Sequence, residues 1–336
     1  EGTVRFNRDL NTLEFYNGVD WRQFTVSGAS GRCLRMGGSS SNTEHASSIE
    51  YVNINTKGNG INFGDLLNPT DGNSAVSSST RAVNMGGWKE PGSTLLNVMD
   101  YTTIASEGNA IDFGDLQQGA RYMSAATNGN RGLVMNGQQP GYTTMINALN
   151  ISTLGNAIDT GGEYTASKSL SSCVYSPIRM VIVSGWDPSA PNDTVNTMQH
   201  INITSDGNTS EFGECMLRSG SGVSNNTRGI IGAGWNGKDR VGMHYISISS
   251  LGELIEFGNL TPERSGAGQG NASSQTRGLF MGGSNPTKLN IIDYVNFQTL
   301  GDAIDFGDLT GTDIVGGAGI AYPSVTSDSH GGLGGY

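Results

Sequence analysis

Long apolar runs are missing from this 336-residue sequence: the longest, around Met180–Val183 and Leu289–Ile292, are strand-sized and far short of the ~20 residues with which a helix spans a bilayer. Membrane insertion is not expected. Proline is scarce, at 9 residues, and charged residues make up only 15%, so the chain lacks the charge density that keeps a disordered segment from collapsing. Basic residues are outnumbered, 19 against 30 acidic, leaving a net charge of −11 that opposes a non-specific grip on nucleic acid or an anionic membrane. Cysteine is limited to Cys33, Cys173 and Cys215, which are odd in number, far apart and without C-x-x-C spacing; neither a disulfide framework nor a zinc site is indicated. The histidines His45, His200, His244 and His330 are too dispersed to suggest a metal triad, so no metal and no cofactor is expected. A Gly-x-Ser-x-Gly elbow and a phosphate-cradling loop are absent. The sequence opens on Glu1 without a basic head or apolar signal core, implying a start removed by processing or truncation. Asn-x-Ser/Thr sequons occur, but Asn, Ser and Thr are so common that chance supplies several.

What the chain has in abundance is glycine, 51 residues, together with Ser, Thr and Asn, a balance suited to short strands joined by tight turns. Internal repetition organises it. A glycine pair or its relic closes a short apolar segment at Gly38, Gly87, Gly137, Gly185, Gly234, Gly283 and Gly335, at intervals of 48 to 52 residues. A second marker, Phe-Gly-Asp in its best form, recurs with its glycine at Gly64, Gly114, Gly161, Gly213, Gly258 and Gly307. The clearest unit reads Thr276-Arg-Gly-Leu-Phe-Met-Gly-Gly283, then Asn290-Ile-Ile-Asp-Tyr-Val-Asn-Phe297, then Asp302-Ala-Ile-Asp-Phe-Gly-Asp-Leu309. Apolar residues alternate within each segment, and a Ser/Ala/Gly-rich stretch precedes each Thr-Arg-Gly, giving four strands per unit. Seven units of four strands predict an all-β seven-bladed β-propeller spanning residues 1–336 as one domain.

The seventh unit is split between the ends. Val4–Asn7 and Leu13–Phe15 match Val295–Gln298 and Ile304–Phe306 at a constant offset of 291, while Ser329–Tyr336 matches Thr276–Ser284. Residues 1–18 and 311–336 are thus expected to form the closing blade, with Val4–Asn7 paired to Gly331–Gly335.

The glycine doublet ending one strand, the aromatic on the next and the aromatic near the last resemble the kelch repeat over essentially the whole chain, with Phe63, Phe113, Phe212, Phe257 and Phe306 where kelch repeats carry tryptophan. The wording Thr-Arg-Gly-x-x-x-Gly-Gly, Ile-Asp-Tyr and Ala-Ile-Asp-Phe-Gly-Asp-Leu is similar to propellers encoded by tailed phages of marine bacteria, including cyanophages, and Gly2–Asn7 with Leu13–Gly18 and Trp21 is similar to modules of phage tail and fibre proteins. The resemblance implies a structural protein on the virion surface, at a tail, fibre or capsid exterior, that contacts other virion proteins or host-surface polysaccharide. A cellular carbohydrate-binding or adhesion propeller is the alternative, and a kelch-type enzyme comes third: copper-radical oxidases share the architecture, but their cysteine–tyrosine signature is missing here.

Two residue sets stand out. Each second strand opens on a basic residue, Arg32, Arg81, Arg131, Arg179, Arg228, Arg277 and, in the split blade, His330, a ring expected to be structural and to pair with the carboxylates of Phe-Gly-Asp. Asp112, Asp159, Glu211, Glu256 and Asp305 add one acid per blade, a periodicity of a solvated face and not of a catalytic pair; no catalytic residue is expected. The loop after the glycine pair varies most and carries Trp88, Trp186, Trp235 and the final Tyr336. Because strands alternate in direction, these loops should share a face with the blade-to-blade connections, making an aromatic rim for binding the expectation that competes with simple packing.

Overall fold

In the computed structural model of the chain, residues 3–7, 12–16, 18, 21–23, 31–41, 44–135, 137–139, 141–142, 144–164, 169–183, 185–187, 194–215, 217, 220–235, 240–311, 319–330 and 333 are described. They form an all-β propeller of six four-stranded blades, with no helix among the described residues beyond a single 3-10 position. From the axis outward, blade 2 consists of Ser74–Ser77, Arg81–Met85, Val98–Thr103 and Ile111–Asp115; blade 3 of Ser124–Thr127, Arg131–Met135, Met145–Asn150 and Ile158–Glu163. Blade 4 is Ser172–Tyr175, Arg179–Val183, Thr197–Asn202 and Ser210–Glu214, and blade 5 is Ser221–Ser224, Arg228–Gly232, Met243–Ser247 and Ile255–Gly258. In blade 6 the strands Arg277–Met281, Ile291–Asn296 and Ile304–Asp308 follow an inner strand, Gln269–Asn271, which meets its own blade through the Ser273–Gly278 bridge and runs parallel to the inner strand of blade 1.

Blade 1 closes the ring. Its outer three strands are Arg32–Met36, Ser48–Asn53 and Ile61–Asp65, and its inner strand comes from the far end of the chain, Ser324–Ser327, with Val325 opposite Arg35. The expectation of seven blades with a closing blade of 1–18 and 311–336 is therefore corrected. Six of the repeat markers, a glycine pair or its relic from Gly38 to Gly283, each follow a second strand, while the seventh, at Gly335, lies outside the described residues. Val4–Asn7 pairs with Thr12–Tyr16, which pairs in turn with Trp21–Gln23; of its expected partner segment Gly331–Gly335 only Leu333 is described.

The inner strands touch in sequence around the axis, blade 1 against blade 2 and onward to blade 6 and back. Their residues are small and buried on both sides, as in Ser74-Ala-Val-Ser77 and Ser124-Ala-Ala-Thr127, because six strands converging on one axis leave little room for side chains. The hydrophobic core is divided into six wedges, each between consecutive blades. Alternation along a strand feeds two wedges at once: Leu34 and Met36 face blade 2 while Cys33 faces blade 6. All three cysteines are free and buried, and burial pushes the Cys173 thiol up to about 12.

Both repeat markers prove to be inter-blade devices. A Cβ on Gly114 would lie 2.5 Å from the carbonyl carbon of Gly155 in the next blade, and Gly64, Gly213, Gly258 and Gly307 meet Gly108, Gly252, Gly301 and Gly58 in the same way. Only glycine permits that approach. The backbone then clasps: Gly155 donates its N–H to Phe113 O at 2.9 Å, Ala157 to Asp115 O at 2.9 Å, and Asp115 N–H donates to Asn156 Oδ1 at 3.0 Å. In blade 3 the equivalent glycine is Gly162, which faces Gly207, and not Gly161; the outer strand carries one extra residue there. The arginines supply the second clasp. Arg32, Arg81, Arg179 and Arg277 donate to the carbonyls of Ile104, Ile151, Ile248 and Ile54 in the following blade at 2.8, 2.8, 3.0 and 3.0 Å, and Arg228 to that of Phe297. Arg131 instead pairs with Asp206 of blade 4. The expected pairing with the Phe-Gly-Asp carboxylates is thus corrected: the arginines grip main-chain carbonyls, since those carbonyls end the third strands and have no ladder partner.

His330 is not a seventh member of the ring. It lies fully buried at the axis, Nε2 2.9 Å from Ser77 Oγ, its ring edge-on to Tyr175 at 5.5 Å between centroids. Burial lowers its pKa to about 4.

Two stability predictions follow from these contacts. Arg35 and Glu50 form a fully buried ion pair in blade 1, Arg35 also donating to Gly37 O and Ser48 O at 2.9 Å each, while Glu50 accepts the Thr310 N–H at 2.7 Å. Glu50→Ala should cost about 3–5 kcal/mol in urea unfolding by stranding a buried charge, whereas Arg35→Met with Glu50→Leu should cost much less; equal losses would refute this account. For His330, an unfolded pKa near 6.5 against a folded value of about 4 means that the unfolded chain binds the extra proton in that window. Stability is then unaffected above about pH 6.5 and declines as pH falls, by about 3 kcal/mol once pH is below the folded pKa. The melting temperature of the wild type should drop more between pH 7 and pH 5 than that of His330→Gln.

Candidate functional site

The inter-blade connections and the hairpins between second and third strands emerge on one face, here the upper face, and are bridged to one another: Asp71 with Trp88, Arg121 with Gln138, Ser169 with Trp186 and Ser265 with Ser284. Just before five of the six inner strands the backbone turns with positive φ, at Gly72 (61°), Tyr122 (56°), Leu170 (52°), Gly266 (67°) and Tyr322 (55°). Four of these turns are linked head to tail around the axis by three hydrogen bonds, Tyr322 N–H to Gly266 O at 2.9 Å, Gly72 to Tyr322 at 3.0 Å and Tyr122 to Gly72 at 2.6 Å. Glycine is the low-cost choice at such a turn; a tyrosine there costs of order 1–3 kcal/mol and is retained where its ring has a task. The Tyr122 and Tyr322 rings meet edge-to-face at 5.4 Å, over the mouth of the axis.

Beside them opens a cavity of about 340 Å³ shared by blades 6, 1 and 2 and the connection into blade 3, lined by Ser39, His45, Asp71, Trp88, Arg121, Tyr122, Ser284, Lys288, Ala321 and Tyr322. Charge is concentrated in it. Arg121 stacks its guanidinium on Trp88 at 4.3 Å and on Tyr122 at 4.9 Å, with Nε donating to Gln138 Oε1 at 2.8 Å; Lys288 Nζ donates to Ser39 Oγ. His45 Nε2 sits 3.8 Å from Asp71 Oδ1, and His45 Nδ1 and Asp71 Oδ1 have no hydrogen-bond partner. Burial raises the Asp71 carboxyl above its usual range, opposed by His45, Arg121 and Lys288; burial also lowers the Lys288 ammonium, opposed by Asp71. Ser39 Oγ donates onward to the Ser41 carbonyl. Lys288 and Arg121 thus bring donors to the same cavity as the one carboxylate, Asp71.

Of the expected aromatic rim, the structure brings only Trp88 into this cavity. Its indole is half-buried beneath Arg121 and held by Nε1 donating to Glu90 Oε1 at 2.9 Å. Trp186 and Trp235 are also half-buried, at the starts of corresponding hairpins in blades 4 and 5, and do not line it; Tyr336 is outside the described residues. Arg32, Arg81, Arg131, Arg179, Arg228 and Arg277 lie at the opposite, lower face. The sequence reading weighed His45 only as a metal ligand and did not single out Asp71, Arg121, Tyr122 or Lys288, since each occupies a hairpin or connection whose copies differ; the signal available was Tyr122 and Tyr322 where sister repeats carry Gly72 and Gly266. No group of three or more His, Cys, Asp or Glu side chains positioned for a metal occurs among the described residues.

The chain matches no protein-family model and no curated protein sequence.

Because Lys288 and Arg121 hold the Asp71 carboxyl down against its burial, Lys288→Met and Arg121→Met should each raise its titration midpoint. Carboxyl-carbon NMR of labelled protein measures this directly; an unchanged or lowered midpoint would contradict the assigned electrostatics.

Proposed function

We propose that this chain is a recognition module on the surface of a viral particle, engaging host-surface polysaccharide or a neighbouring virion protein through its upper face. The observation that carries the recognition reading is the axial cavity, where Arg121 and Lys288 face a single carboxylate, Asp71, on a chain whose net charge is −11. A concave site joining cationic donors, an indole and two phenol rings suits an acidic group carried on a sugar or a peptide: the donors bind the anion and the aromatic faces stack on the ring or chain beside it. Rigid strands hold the lining, and the connections that differ between repeats supply it. The virion setting is supported by the resemblance of the repeated Thr-Arg-Gly, Ile-Asp-Tyr and Phe-Gly-Asp wording to propellers of tailed phages of marine bacteria.

A cellular carbohydrate-binding propeller would use the same cavity, and the two readings part on context. A virion protein co-purifies with particles at fixed copy number in quantitative mass spectrometry, whereas a cellular lectin does not. For the cavity itself, Arg121→Ala combined with Lys288→Ala should weaken binding to acidic polysaccharide or to the neighbouring virion protein by tenfold or more, from the loss of charge-assisted hydrogen bonds worth about 1.5–3 kcal/mol each. Circular dichroism should be unchanged. Trp186→Ala with Trp235→Ala should have a smaller effect; an equal or larger one would return the aromatic rim to first place.

A further inference from the structure

On the lower face, four of the six repeats build a stacked unit at the periphery of the blade. In blade 1 the Arg32 guanidinium lies 4.5 Å over the ring of Tyr51, the Tyr51 ring meets Phe63 edge-on at 6.0 Å, and the Tyr51 hydroxyl donates to Glu107 Oε1 of blade 2 at 3.0 Å. Blades 2, 5 and 6 repeat the stack with Arg81, Tyr101 and Phe113, with Arg228, Tyr245 and Phe257, and with Arg277, Tyr294 and Phe306. Blade 4 places His200 against Phe212.

Blade 3 keeps the frame and omits the rings. Ala148 stands opposite Leu133 and Ile158, the register that Tyr101 holds opposite Val83 and Ile111, and Thr160 replaces the phenylalanine. Arg131 remains, paired with Asp206, the blade 4 counterpart of Glu107, and its Nε has no hydrogen-bond partner. Where the aromatic pair is missing, a hollow of about 360 Å³ opens among Arg131, Ala148, Leu149, Leu154 and Ile158, against about 140 Å³ at the matching place in blade 2 beside Tyr101. Leu154 and Ile158 are 59% and 62% exposed, so the hollow is reached from solvent.

We propose that this hollow is a docking site for a tyrosine side chain presented by a partner protein. The sister blades define the occupant. A phenol ring entering from outside slides beneath Arg131 as Tyr51 lies beneath Arg32, and its hydroxyl reaches Asp206 as Tyr51 reaches Glu107. The guanidinium is already fixed by its ion pair, so a cation–π contact forms without ordering a new side chain. Leu149, Leu154 and Ile158 supply the apolar walls. The site lies on the opposite face from the axial cavity and stands whether or not that cavity binds an acidic ligand.

Ligand-observed NMR with p-cresol and N-acetyltyrosinamide tests it, with toluene and a methyl glucoside as comparisons. Saturable binding of both phenols to the wild type is expected, about tenfold tighter than toluene for a hydrogen bond to a charged acceptor, and no saturable binding of the glucoside. Ala148→Tyr with Thr160→Phe rebuilds the stack from within and should abolish phenol binding without lowering the melting temperature. Asp206→Asn, a surface change, should shrink the preference of p-cresol over toluene and serves if the filled variant does not fold. Absence of phenol binding, phenol binding undiminished in a folded filled variant, a p-cresol preference unmoved by Asp206→Asn, or tighter binding of the glucoside would each overturn the proposal.

Discussion

The structure depends on how closely each outer strand can approach the next blade. At Gly114 and its five counterparts the main chains of neighbouring blades come so near that a methyl group would collide with a carbonyl, and the hydrogen bonds that follow weld one blade's outer strand to its neighbour's terminal turn. A blade of about 49 residues is a small sheet with two apolar faces and cannot bury them alone. Six wedges of core exist only because the clasps set the blades at a fixed angle. Glycine there is an assembly residue, and the arginine at the start of five of the six second strands does similar work nearer the axis by capping the neighbour's free carbonyl.

This explains which parts of the fold were legible in the sequence. Strand segments, their order within a blade, and the shared face of hairpins and connections follow from alternation and from the spacing of glycine pairs, because those signals are local. Blade number is not local. Val4–Asn7 resembles a third strand and Ser329–Tyr336 a second, yet the deciding fact is which strands pair, and the inner edge of Arg32–Met36 is filled by Ser324–Ser327. The role of Phe-Gly-Asp was misread for a related reason. Its aspartate draws the eye as a charge, but the N–H of that residue makes the inter-blade bond, and a main-chain donor has no letter in the sequence.

The candidate site was less legible than the scaffold. Trp88 could be singled out by position, but His45, Asp71, Arg121 and Lys288 are separated by up to 243 residues and meet because the ring folds its ends together. Departures from the repeat were more informative than the repeat itself. Tyr122 and Tyr322 replace glycine where the backbone demands positive φ, and Ala148 with Thr160 replaces an aromatic pair where the other blades need one. Each departure coincides with a cavity, one on either face.

The inner strand of blade 1 also sets an order of events during synthesis. Ser324–Ser327 is made almost 300 residues after the strand it completes, so until it emerges from the ribosome the nascent chain is an open arc. Throughout that time the inner edge of Arg32–Met36 and the facing edge of blade 6 present unpaired backbone to their surroundings. Neighbouring chains on one polysome therefore offer each other the same missing strand, and whether a ring closes on itself or borrows from its neighbour is decided in the moments after residue 327 is released.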